Sequence, residues 1–97
     1  MTVKIFKMIN GEVIIGEVVS EGAETYVLKS PAEIGLQQAA SGVSVGIADY
    51  MPYATGNLTV RKGAVAAEGE PDEKLVNEYN RIYGSGIVIA PAGSIRT

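Results

Sequence analysis

The stretch Asn10-Gly11-Glu12-Val13-Ile14-Ile15-Gly16-Glu17-Val18 decides how this chain folds. An Asn-Gly pair between apolar runs is the strongest short-range mark of a β-hairpin, since both residues tolerate the positive φ of a tight turn. Val3 to Ile9, rich in β-branched and apolar residues, reads as the first strand, and Glu12 to Val19 as its partner. Gly16 interrupts that partner. Glycine inside a strand marks a bulge or a sharp bend, so the sheet is expected to curve toward closure.

Working outward, Ser20 to Glu24 is a polar turn and Thr25 to Lys29 a third strand, which Ser30-Pro31 kinks because proline gives nothing to a ladder. Beyond the kink Ile34 and Leu36 alternate with polar or small residues and share one face. Ser41-Gly42 turns the chain, and Val43, Val45 and Ile47 then alternate with Ser44, Gly46 and Ala48 as a further strand. Met51-Pro52-Tyr53 breaks it. Leu58-Thr59-Val60-Arg61, the turn Lys62-Gly63 and Ala64 to Ala67 complete a second hairpin-like pattern with a basic tip. These strands predict a mainly β, small, strongly bent barrel over about residues 3–67.

The last third changes period. Asp72 and Glu73 suit the positive end of a helix dipole, and Leu75, Val76, Tyr79, Ile82 and Tyr83 fall at helical spacing. A helix over 72–83 is expected to pack on the barrel by this stripe and to stop at Gly84. The tail 84–97 contains a β-prone run, Gly86 to Ala90, that reads as an extra edge strand, a partner-binding strand or disordered chain.

Ninety-seven residues suit a single domain. Hydrophobic residues make up 46% of the chain, yet no apolar run approaches the roughly 20 residues that span a bilayer. Lys4 and Lys7 precede no signal-like apolar stretch, which predicts a cytoplasmic protein with no membrane partner. Without Cys or His the chain lacks thiolate and imidazole chemistry, and no Ser, Thr or Lys has a recognisable base partner. No enzyme activity, catalytic residue, metal or cofactor is therefore expected. A net charge of −3 opposes nonspecific attraction to nucleic acid.

The two glycine-centred patterns, in this order, resemble the Sm-like (Lsm) family, and particularly the small Sm-like proteins of marine bacteriophages. Gly11 and Gly16 match the glycine spacing of the family's first motif, and Val60, Arg61, Gly63 and Val65 match its second, with Lys62 intervening. The resemblance implies a five-stranded, highly bent Sm-like (SH3-like) barrel, here with its helix at the C-terminal end. It also implies a homo-oligomeric ring, formed when the edge strand of one copy pairs with that of the next. In the family the arginine of the second motif lies beside a bound base. By resemblance, Arg61, Lys62 and Gly63 become candidate contacts for short single-stranded RNA, with Tyr26 a candidate stacking residue.

The chain departs from the pattern where RNA-binding members carry an Asp and a Met-Asn pair. Its counterpart, Ser20-Glu21-Gly22-Ala23-Glu24-Thr25-Tyr26, has two carboxylates and no Asn. A structural or protein-interaction ring or module of phage origin, working in the host cytoplasm without RNA, is the alternative function. Arg61-Lys62 also reads as a solvated hairpin tip, and Tyr26 as half-buried packing. Glu12, Glu17, Glu21 and Glu24 read as a hard-cation cluster or as solvated edge residues, and Glu68, Glu70, Asp72 and Glu73 as the helix approach. Tyr50-Met51-Pro52-Tyr53 reads equally as a contact surface or as the plug of one barrel end.

Overall fold

A computed structural model describes residues 2–84. It contains strands β1 (Thr2–Met8), β2 (Val13–Glu21), β3 (Thr25–Ala39), β4 (Gly42–Asp49), β5 (Leu58–Arg61) and β6 (Val65–Gly69), followed by helix α1 (Glu73–Tyr83). The strands form one antiparallel sheet in the order β4-β3-β2-β1-β6, with β5 pairing on β3.

The mainly β fold with a C-terminal helix is as expected. Among the described residues there are six strands where the resemblance implies five, and the ladder is an open path ending at β4 and β6, not a closed barrel. The turn expected at Lys62-Gly63 is a single 3-10 turn, Lys62–Ala64, but it closes no hairpin: it carries the chain from β5 on β3 to β6 on β1. Backbone continuity, not a hydrogen-bonded ladder, joins those two sides. Past Gly84, the tail lies outside the described residues.

The first hairpin turns with one residue more than a bare Asn-Gly pair requires. Met8 N donates to Glu12 O at 2.7 Å, Gly11 N to Met8 O at 2.9 Å, and Gly11 sits at φ 96°. This is a three-residue loop, a turn followed by a positive-φ glycine. Asn10 contributes its side chain, accepting from Glu12 N at 3.0 Å.

The bend in the long strand has a countable cause. Ile15 pairs with Ala32 but Glu17 with Lys29, so β3 spends one more residue than β2 across this step. The extra residue is accommodated at Ser30-Pro31, where Ser30 takes φ 52°. A bulge of this kind exchanges the faces of everything beyond it. Tyr26 and Leu28 accordingly lie in one apolar cluster with Phe6, Met8, Ile14 and Val60, whereas Ala32 belongs to a second cluster with Ile15 and Tyr79. Gly16 faces the bulge. A Cβ there would stand 3.3 Å from Leu28 Cδ1 and 3.6 Å from Pro31 Cα, so glycine is what lets β2 and β3 approach.

The two clusters use the two faces of the sheet. Phe6, Ile14 and Leu28 are fully buried in the first. Helix α1 covers the second, where Val3, Ile34, Ile47, Leu75 and Tyr83 surround the buried core. The helix begins at an Asp72 cap whose carboxylate accepts from Leu75 N at 2.8 Å. It ends at Gly84, whose N–H donates to Asn80 O at 2.8 Å. A helix this short is marginal in isolation, so docking holds it in place. Tyr79 is central to that docking. Its ring is buried, and its hydroxyl lies 3.0 Å from Lys29 O and 2.9 Å from Ser30 O, the carbonyls at the bulge.

Not all of the apolar surface is covered. In the β3–β4 hairpin, Leu36 faces Val45 and Gln38 faces Val43, on the face where Ile34 meets Ile47. Leu36, Val43 and Val45 are 76%, 62% and 53% exposed. No charged residue occurs from Ile34 through Ala48. Among the described residues, no helix is long and apolar enough to cross a membrane.

Candidate functional site

The residues singled out for RNA contact come from three elements. Tyr26 lies on β3, where its backbone faces Glu21 of β2 and Val60 of β5. Arg61 ends β5, and Lys62 and Gly63 form the 3-10 turn immediately after it. Strand pairing of Thr25 with Arg61, and donation from Lys62 N to Glu24 O at 2.8 Å, fix the turn against the start of β3. The structure thus brings Tyr26 and Lys62 together, with Arg61 and Gly63 beside them.

Their environment differs from a stacking platform. Tyr26 is only 3% exposed, and its ring packs on Phe6 with centroids 5.0 Å apart. Lys62 Nζ sits 4.9 Å from the Tyr26 ring centroid and forms an ion pair with Glu21 at 2.6 Å. The Tyr26 hydroxyl donates to Glu68, which also accepts from Lys4 Nζ at 3.1 Å. In this arrangement no base has access to the Tyr26 ring, because protein groups occupy its open face and its hydroxyl. Gly63 has open space around its Cα and lies outside the left-handed region, so its local conformation would tolerate a side chain. Arg61 is different: it is exposed, and among the described residues it has no carboxylate partner.

Glu21, Glu68 and Lys4 are the participants that the sequence reading missed. Glu21 and Glu68 read as solvated residues, and the pairings that bring them to Tyr26, β2 with β3 and β6 with β1, join distant parts of the chain. Alternation on β1 was the available clue, since Lys4 and Phe6 share parity. The acidic residues near the first hairpin are taken up separately. Glu12 accepts from Tyr50 Oη at 2.7 Å while Glu21 serves Lys62, and no group of three or more candidate metal-binding side chains forms among the described residues. Tyr50 packs against the first cluster, whereas Met51 and Tyr53 are 46% and 94% exposed, so the segment divides between plug and surface.

These contacts displace proton equilibria in a definite direction. Hydrogen bonding to Tyr26, then to Lys4, holds the Glu68 carboxyl below its usual value of 4.5. The same bond from the other side, then burial and the charges of Glu21 and Glu68, pushes Tyr26 up to about 12. Glu12 and Tyr50 form a parallel pair, with Glu12 lowered and Tyr50 raised to about 12. A depressed carboxyl adds stability that is present above its unfolded value and lost as pH falls through the folded one. A raised tyrosine adds stability that is present below its unfolded value of 10 and lost as pH climbs toward 12. The melting temperature is therefore expected to fall below pH 4.5 and again between pH 10 and 12. Tyr26→Phe should flatten both limbs in part, leaving the shares of Tyr50–Glu12 and Glu78 and, on the alkaline side, of Tyr79 and Tyr83. Thermal melts across pH check this.

No family model matches the chain, and no curated protein is significantly similar to it.

Proposed function

We propose that this chain is an Sm-like, ring-forming structural module that holds copies of itself and a protein partner together, with neither catalysis nor RNA binding as its task. The observation that carries this reading is β4. Among the described residues it ends the ladder path, and its hairpin carries no charge from Ile34 through Ala48, where natural edge strands are blunted with Lys, Pro or inward-pointing charge. The other end of the ladder is β6, a different surface. Pairing β4 of one copy with β6 of the next is heterologous and closes into a ring when the rotation between copies divides a full turn. The Tyr26 site supports the same reading. Lys62 is neutralised by Glu21, and Lys4 by Glu68, which leaves little positive field for phosphate.

Single-stranded RNA is the second reading, and the exposed, unpartnered Arg61 favours it. One experiment separates the two. Val45→Lys places a charge on the β4 hairpin at a half-exposed position, where surface substitutions change stability by only about 0.5 kcal/mol. We expect this variant to keep its fold by circular dichroism and to run as a monomer in size-exclusion chromatography coupled to light scattering. Wild type should run as a closed oligomer free of nucleic acid, whereas an ultraviolet ratio showing bound RNA would select the second reading.

A further inference from the structure

An open cleft of about 220 Å³ lies where the Ser30-Pro31 kink, the end of β4, the loop after it and the last turn of α1 meet. Pro31, Met51, Pro52 and Leu58 contribute apolar groups to its lining, and Ser30, Asp49 and Tyr83 polar ones. The Tyr83 hydroxyl donates to Asp49 Oδ1 at 2.6 Å, which holds the carboxylate in the lining and leaves Oδ2 to accept from elsewhere. Asp49 has no cationic partner among the described residues.

The size excludes most ligands. Sites for cofactors and drug-sized molecules occupy roughly 300–1,000 Å³, so this cleft suits a single long side chain. Its chemistry narrows the choice further. A carboxylate oxygen among apolar and aromatic lining residues complements a cation carried on an aliphatic stem. A guanidinium fits better than an ammonium, because its planar fork meets the carboxylate while its face lies against the tyrosine. We infer that the cleft is a docking site for one arginine side chain presented by a partner protein. It is built within a single copy, so the inference stands whether or not copies assemble into a ring.

The test is titration of the ¹⁵N-labelled full chain with a short blocked peptide carrying one arginine, and with the same peptide carrying citrulline, its neutral isostere. The arginine peptide is expected to shift the amides of Asp49, Met51 and Tyr83 saturably. Citrulline should bind about tenfold more weakly or worse, the loss typical of removing a charge-assisted hydrogen bond. Asp49→Asn should weaken the arginine peptide to a similar degree. Its amide oxygen still accepts from Tyr83, so the spectrum should otherwise be unchanged. Tyr83→Phe keeps the ring and frees the carboxylate, and should retain binding. Equal affinity for the two peptides, or unchanged affinity in a folded Asp49→Asn variant, overturns the inference. Binding that appears only after Arg61→Ala would assign the cleft to a second copy of this chain and overturn the partner-protein source.

Discussion

Phe6→Ala is expected to lower the free energy of unfolding by about 3–5 kcal/mol, the range for truncating a buried aromatic. Natural domains have about 5–15 kcal/mol in total, so the variant should sit at the edge of folding at room temperature. Phe6 is fully buried and touches the side of the sheet on which β1, β2, β3 and β5 converge. Removing the ring leaves a cavity whose lining includes Ile14, Leu28 and Tyr26, each held by a different strand pairing and poorly able to collapse. Tyr26 also loses its ring contact with Phe6, so the Tyr26–Glu68–Lys4 connection between β3, β6 and β1 should loosen in step. Urea denaturation followed by tyrosine fluorescence measures the change. Leu36→Ala provides the contrast: at 76% exposure it should move the midpoint hardly at all.

Tyr79→Ala is expected to cost a comparable amount by a different route. The substitution removes a buried ring and strips the donor from the Lys29 and Ser30 carbonyls at the bulge. Loss of the ring accounts for about 3–5 kcal/mol, and loss of the hydrogen bond to the bulge carbonyls adds to it. Tyr79→Phe keeps the ring and loses only the hydroxyl, so it should cost about 1 kcal/mol. The pair of variants thus separates packing from hydrogen bonding. Helical circular dichroism should fall in Tyr79→Ala, because a helix of this length does not persist once undocked. If the two variants are equally destabilised, the helix is held by the bulge carbonyls and not by apolar contact.

Much of this architecture is legible in the sequence because it rests on local signals. Asn10-Gly11 places the first hairpin, Ser41-Gly42 the second, and Asp72 with Gly84 the two ends of the helix, each through backbone chemistry acting within a few residues. The alternation of Val43, Val45 and Ile47 identifies a strand, and their shared face follows from period two. What the sequence conceals is non-local. Ser30-Pro31 announces a kink, but nothing nearby says that one residue is gained relative to β2, and that single residue moves Ala32 and Ile34 to the helix-covered face. The pairing of the last two strands is concealed for a related reason. A 3-10 turn at Lys62–Ala64 and an open ladder follow from where β5 and β6 find partners, on β3 and β1 respectively.

The candidate site shows the same division. Arg61, Lys62 and Tyr26 could be placed near one another by resemblance, yet their chemistry depends on neighbours brought in from β1, β2 and β6. Lys62 reads as a free cation in the sequence and is an ion-pair partner in the fold. Tyr26 reads in the sequence as a stacking residue or as half-buried packing, and in the fold it is a buried donor to Glu68. Arg61 keeps its sequence character, exposed and without a described partner, because it lies at the very end of a strand.

Edge-to-edge assembly through β4 is the central claim, and native mass spectrometry of the purified wild-type protein tests it most directly. The account predicts one discrete multiple of the chain mass, a closed ring with no attached nucleotide. A wild-type spectrum containing only the monomer would contradict it, because a β4 edge that takes no second copy has no role in assembly.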